Sequence, residues 1–190
     1  MDRMSICGTL WMAWVVVWVI WAFQSKQTHH RESFVSRMSY TVVVWVAIYF
    51  MFFGKNLGSW WHSDILEYRP WIGWAGVAVA VLGFAITFWA RFTLGGNWSS
   101  NVTIKVEHEL VRGGPYRWVR HPIYTGMIVA MIGTAVARDQ WRGVPAVVLF
   151  WLAFHIKRLK EENFMRQTFG AQYTEYSQTT GAIFPPLLRR

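Results

Sequence analysis

The chain has 190 residues, enough for one domain, and a formal net charge of +9. Hydrophobic residues make up 54% of it and charged residues only 15%, against roughly a quarter charged in a soluble domain. That balance excludes an ordinary soluble fold, and the blockwise layout of the apolar residues assigns the basic charge to membrane topology and anionic lipid contact, not to nucleic acid.

A membrane span needs roughly 20 apolar residues. Residues 4–23 hold no charge and supply the first one. This block is too long for the apolar stretch of a secretion signal, and no A-x-A site follows it, so it reads as a retained anchor. Its Cys7, the one cysteine of the chain, allows neither a disulfide framework nor a cysteine metal site. The second block, residues 38–53, reaches span length once residues 34–36 and a snorkelling Arg37 join it. Residues 71–90 form a third. Residues 123–137 and 144–156 are shorter, at 15 and 13 residues. They read as a tight hairpin, lengthened at its inner end by amphipathic flanks.

The expected fold class is an all-α integral membrane protein with about five spans. Residues 1–90 hold the first three helices. Residues 91–190 hold the polar segments and the hairpin. Within the fourth span, Gly126, Ala130 and Thr134 share one face, which allows close helix approach. Residues 144–156 are the expected partner. Trp60, Trp61, Trp71, Trp74 and Trp141 fall at one predicted membrane edge and Trp98 and Trp118 at the other, as interfacial aromatics do.

Basic residues set the orientation. Lys26, Arg31 and Arg37 lie in the first loop, and Arg91, Lys105, Arg112, Arg117 and Arg120 in the third. Lys157, Arg158, Lys160, Arg166, Arg189 and Arg190 follow the last span. The opposite side has Arg3, Lys55, Arg69, Arg138 and Arg142. Fourteen against five puts the N-terminus outside and the C-terminus in the cytoplasm.

Two segments are too polar for lipid and lie on that cytoplasmic side. Residues 91–121 contain Gly95-Gly96-Asn97-Trp98-Ser99, a strand-like stretch at 101–106, and a turn at Gly113-Gly114-Pro115. Residues 157–176 read as a helix leaving the last span, with a stop at Gly170. Three clusters there could carry chemistry. Arg120-His121-Pro122-Ile123-Tyr124 opens the fourth span, with proline at the first helical position and free backbone N–H groups facing the cytoplasm. His121 and Tyr124 are three apart and can share a face; a plain interfacial helix start with a snorkelling Arg120 is the competing reading. Lys157-Arg158-Leu159-Lys160-Glu161-Glu162 holds two i,i+4 pairs, Lys157 with Glu161 and Arg158 with Glu162. Such pairs usually mark a solvated face. The third cluster is His108-Glu109-Leu110-Val111. The histidines lack metal-ligand spacing, so no metal is expected. Nor is there a phosphate loop or dinucleotide fingerprint.

Taken in order, these pieces resemble the isoprenylcysteine carboxyl methyltransferase family, especially its short prokaryotic members. The matching pieces are GGNWS (95–99), HELV (108–111), GGPYRWVRHPIY (113–124), EENF (161–164), FGAQYTEY (169–176) and the closing Ile183-Phe184-Pro185. The resemblance covers about half the chain. It implies a membrane methyltransferase using S-adenosylmethionine, with its pocket between the last hairpin, the loop before it and the helix after it. Carried over by motif, the cofactor contacts are Asn101, His108, Glu109, Leu110, Val111, Tyr116, His121, Pro122, Ile123, Tyr124 and Glu161. Lys157, Arg158 and Glu161 are the implied catalytic residues. The family places arginine where this chain has Lys157. Lysine keeps the charge but loses the bidentate fork. The implied partners are a lipophilic prenyl or lipid methyl acceptor and the membrane lipids. Alternatives are a phospholipid N-methyltransferase, a sterol-reductase-like enzyme using a nicotinamide cofactor, and a non-enzymatic scaffold or transport component. The middles of the spans hold no Asp, Glu, Lys or Arg, which speaks against a transport path.

Overall fold

The computed structural model describes residues 2–22, 28–31, 33–54, 56–66, 69–97, 103–105 and 110–186. The first apolar block is helix α1 (Arg3–Ala22) and the second is α2 (Phe34–Ile48), which relaxes into a π-helical turn at Tyr49–Phe53. Helix α3 (Pro70–Leu94) starts on a proline and extends past the apolar block at both ends. Helix α4 (Pro122–Arg138) also starts on a proline, as expected. Helix α5 (Gly143–Phe169) is 27 residues long and carries its polar half straight out of its apolar half. Gly170 stops it at φ 50°, and α6 (Ala171–Thr179) follows.

The regular elements among the described residues are helices apart from one short antiparallel ribbon, β1 (Thr28–Arg31) against β2 (Thr103–Lys105). Of the strand-like stretch 101–106, residues 103–105 form β2 and the rest lie outside the described residues; the partner in the first loop was not legible in sequence. Helices α1, α2 with its π turn, and α3 are long and apolar enough to cross a membrane. Helix α4 is apolar but shorter. The protein is an integral membrane protein built on these helices.

The centre of the bundle is the α3–α4 pair, and here the structure corrects the sequence reading. The small-residue face of α4 packs on α3, not on α5. A Cβ added at Gly83 would lie 2.4 Å from the Ala130 nitrogen and 2.5 Å from the Gly126 oxygen. One added at Gly133 would lie 2.3 Å from the Ala80 nitrogen and 2.6 Å from the Gly76 oxygen. The matching glycines recur at seven-residue spacing on both helices, Gly76 and Gly83 against Gly126 and Gly133. That spacing keeps one seam of an antiparallel pair in contact. Lipid tails are as apolar as the helices, so this backbone approach supplies the association energy that hydrophobicity cannot.

Helix α1 lies across the pair. Trp11 Nε1 donates to Thr134 Oγ1 and Trp14 Nε1 to Thr87 Oγ1, each at 3.0 Å. Both threonines are fully buried, so each indole bonds where an unmade hydrogen bond would be costly. Thr134 therefore serves α1 rather than a helix–helix seam with α5. Arg91, 5% exposed, reaches the Trp21 and Gly95 carbonyls and closes the same end of α1 and α3. Helix α5 packs on α2 as well as on α4. Lys160 Nζ donates to Ser36 O, Ser36 Oγ and Ser39 Oγ at 2.6–2.8 Å. At the far end of the bundle, Trp60 stacks on Trp141 at 5.5 Å.

The α3–α4 seam makes a direct prediction. Gly83→Ala forces a methyl group into the α4 backbone, while Gly8→Ala on α1 meets nothing within 4 Å. Gly83→Ala should destabilise the protein by about 1–3 kcal/mol, the scale of core overpacking, and Gly8→Ala should be neutral. Thermal unfolding of both variants in detergent measures the contrast.

Candidate active site

The site forms where α4 begins and α5 turns polar. Gly114 makes the approach possible. It has φ 54°, and a Cβ there would meet the Thr93 side chain at 2.6 Å. The turn Gly114–Arg117 then buries Pro115 and Tyr116 against the end of α3. Residues 119–121 run beside the C-terminal segment: Arg120 N donates to Gly181 O at 2.8 Å and His121 N to Ala182 O at 3.0 Å. Thr125 Oγ1 adds a bond to Ile183 O at 2.5 Å. The carbonyls of Gly181, Ala182 and Ile183 thus hold the start of α4 in place.

Glu162 is the hub, and sequence reasoning missed it. It is 3% exposed. Its Oε1 accepts from Arg120 Nη2 at 3.1 Å and Arg158 Nη1 at 3.3 Å, and lies 3.3 Å from His121 Nε2. Its Oε2 accepts from Arg166 Nη2 at 3.4 Å. Arg158, Glu162 and Arg166 form an i,i+4 ladder on one face of α5, a signal that was present in the sequence. The solvated-face reading fails because Arg120 descends on that ladder from α4. Nor does Arg120 snorkel: its guanidinium also donates to the Ser177 and Thr180 carbonyls.

Glu161 has a different environment. Tyr124 Oη donates to its Oε1 at 2.5 Å. His121 Nδ1 lies 3.5 Å from its Oε2, and Lys157 Nζ lies 4.0 Å from Oε1. Its side chain keeps 18% exposure against 4% for Glu162. The His121 and Tyr124 rings stack at 5.3 Å and 5°. The Lys157 ammonium sits 5.6 Å from the Tyr40 ring and 5.4 Å from the Tyr124 ring, so α2 contributes a residue that the motifs did not indicate.

Burial opposes charge on all three central groups, and the ion pairs outweigh it. Glu162 is held down to about 2 by His121 and Arg120, despite its burial. Glu161 is lowered, with His121 and Lys157 overcoming desolvation. Burial alone would depress His121, but the carboxylates of Glu161 and Glu162 lift it above its ordinary value.

Of the residues singled out in sequence, Tyr116, His121, Pro122, Ile123, Tyr124, Lys157 and Glu161 gather here. Leu110 and Val111 are partly buried, and Val111 packs on the main core. Arg158 is at the site but turned to Glu162 and His155. Asn101, His108 and Glu109 lie outside the described residues.

A model of the phospholipid methyltransferase family matches residues 71–172. The chain belongs to that family. Within it, the chain is similar to protein-S-isoprenylcysteine O-methyltransferases. It is 33% identical over 118 residues to that of Tribolium castaneum, covering 60% of this chain and 42% of the other. It is 32% identical over 123 residues to enzyme B of Arabidopsis thaliana, covering 63% and 62%. The human protein of that name gives 32% over 123 residues, covering 63% and 43%. The fold matches a solved structure titled as the eukaryotic intramembrane Ras methyltransferase, isoprenylcysteine carboxyl methyltransferase. That match has a TM-score of 0.61 and 27% identity, over 77% of this chain and 52% of that one. The chain thus spans between two fifths and two thirds of the length of these relatives.

The hub predicts a pH dependence of stability. The folded-state pKa of Glu162, about 2, lies below the ordinary 4.5. Its contribution is therefore complete above about pH 4.5 and lost as pH falls toward 2. The melting temperature in detergent should fall through that window. Glu162→Gln, which leaves Arg120 and His121 without their carboxylate, should cost about 3–5 kcal/mol and flatten the acid limb.

Proposed function

We propose that this protein is an S-adenosylmethionine-dependent membrane methyltransferase acting on a lipophilic carboxylate, with residues 91–190 as its catalytic region. The observation that carries the reading is the division of labour between adjacent glutamates. Glu162 is consumed by four cations, whereas Glu161 keeps exposure and faces aromatic rings and a lysine. The residues fit the cofactor. Glu161 suits its ammonium or ribose hydroxyls, the Tyr124 ring suits a sulfonium, and Val111 and Ile123 offer apolar wall to the adenine. Leu110, Tyr116 and Pro122, with Asn101, His108 and Glu109, complete the proposed contacts. When bound, the cofactor supplies an electrophilic methyl group on sulfur.

The chain's own part is positioning and exclusion of water. Lys157 holds the acceptor carboxylate beside the Tyr40 and Tyr124 rings. An ionised carboxylate needs no general base, so the role left to His121 is to orient Glu161. Arg158 supports the site through Glu162 and does not touch the acceptor. We place the site and the C-terminus in the cytoplasm, where the cofactor is, with five spans and the N-terminus outside. A prenylated or lipid acceptor enters from the bilayer.

The family model's name favours a second reading, N-methylation of a phospholipid amine. An amine must lose a proton, which makes Glu161 or His121 a base. Activity on an amine would then climb steeply with pH, while activity on a carboxylate would be nearly flat above pH 6.

Calorimetry with S-adenosylmethionine and S-adenosylhomocysteine tests the cofactor assignment. We expect saturable micromolar binding to the detergent-purified protein, lost by at least tenfold in His121→Ala and Glu161→Ala. A folded wild type that binds neither would sink the reading. Lys157→Met should leave cofactor affinity within about twofold and raise the acceptor KM at least tenfold, the worth of one charge-assisted contact. An unchanged KM would remove Lys157 from the acceptor site.

A further inference from the structure

Two arginines at the end of the bundle remote from the candidate active site carry buried donors that neither the fold nor the proposed activity accounts for. Arg138 ends α4 and Arg142 precedes α5. Arg142 is 6% exposed. Its Nε donates to Gln140 Oε1 at 2.9 Å, and Arg138 Nη1 reaches the same oxygen at 3.5 Å. One neutral amide oxygen therefore serves two guanidiniums. Arg142 Nη1 and Arg138 Nε are buried without a hydrogen-bond partner among the described residues.

The carboxylates described nearby do not neutralise them. Asp139 Oδ1 accepts from Leu66 N at 3.2 Å, and exposed Asp64 meets Gln140 through a backbone bridge. No ion pair to either arginine is found among the described residues. The carbonyl end of α4 favours a cation, which accounts for Arg138 being there but satisfies neither orphaned donor. Arginine does not deprotonate to escape burial, so among the described residues the pair is unbalanced, and an added anion would balance it.

Beside the pair, a cavity of about 330 Å³ opens between α4 and α5. Ile65, Leu66, Ile132, Val136, Val144 and Val148 line it. Gln140 belongs both to its wall and to the arginine pair. From Gly143 to Val148 the wall runs roughly 8 Å along the helix. An anionic head site thus adjoins an apolar slot of acyl-chain character, in a protein whose helices cross the membrane.

We propose that this end binds an anionic phospholipid, with its phosphate on Arg142 and Arg138 and one acyl chain in the α4–α5 cavity. The proposal rests on the membrane reading and is independent of the methyltransferase reading. The lipid would hold the α4–α5 turn, and through it the spacing of the two helices that carry the site at their other ends.

The test is thermal unfolding of the full chain in detergent with added phosphatidylglycerol, phosphatidylcholine or inorganic phosphate. Phosphatidylglycerol at a hundredfold excess over its dissociation constant should raise the melting temperature by on the order of 5 °C. Phosphatidylcholine should give less than a third of that, and inorganic phosphate little. Arg142→Gln should lose the shift. Val148→Trp fills the slot and keeps both arginines, and it should lose most of it. An equal response to phosphatidylcholine overturns the anionic assignment. Full reproduction by inorganic phosphate overturns the lipid. An undiminished shift in Val148→Trp overturns the cavity, and decides the matter if Arg142→Gln does not fold.

Discussion

The contact between Arg120 and Glu162 joins three parts of the chain that the sequence keeps far apart. Arg120 stands just before α4, Glu162 lies on the polar half of α5, and the arginine also holds the carbonyls of Ser177 and Thr180. With His121, Arg158 and Arg166 on the same carboxylate, the cluster is a buried charge network, not a surface salt bridge. Such a network is costly to break on one side, because the remaining charges are left in a low dielectric. His121, Glu161 and the start of α4 take their positions from it.

That network can form only because α3 and α4 fix the height of Arg120. Their backbones touch at glycines, so the two helices cannot slide without steric clash. The Gly114 turn packs on Thr93 at the end of α3, and the C-terminal segment bonds residues 120 and 121. Both tether the short stretch that carries the site chemistry. The membrane-embedded seam and the polar hub are therefore parts of one mechanical arrangement.

Two glutamates adjacent in sequence receive opposite environments because they sit about 100° apart on α5. One face of the helix meets Arg120 and the C-terminal segment. The other meets α2 and Tyr124, with Lys157 and Lys160 against Tyr40. A residue buried among four cations stays ionised and orders the fold. A residue beside rings and one lysine keeps room for a ligand. This difference in surroundings, with no difference in residue type, separates the carboxylate held in the ion network from the one that keeps exposure.

Legible in the sequence were the membrane class, the apolar helices, the proline start of α4, the Gly170 stop and the motif residues His121, Tyr124 and Glu161. These are legible because hydropathy, helix punctuation and local motifs are properties of neighbouring residues. Only the tertiary structure decided that Gly126 and Gly133 meet α3, that Thr134 answers Trp11, that Arg120 is a hub ligand, and that Tyr40 joins the site. Each of these depends on which helix lies beside which. A stripe of small residues announces a close approach without naming its partner. An i,i+4 ion pair looks the same on a wet face as under a buried arginine, because the third charge arrives from 42 residues away.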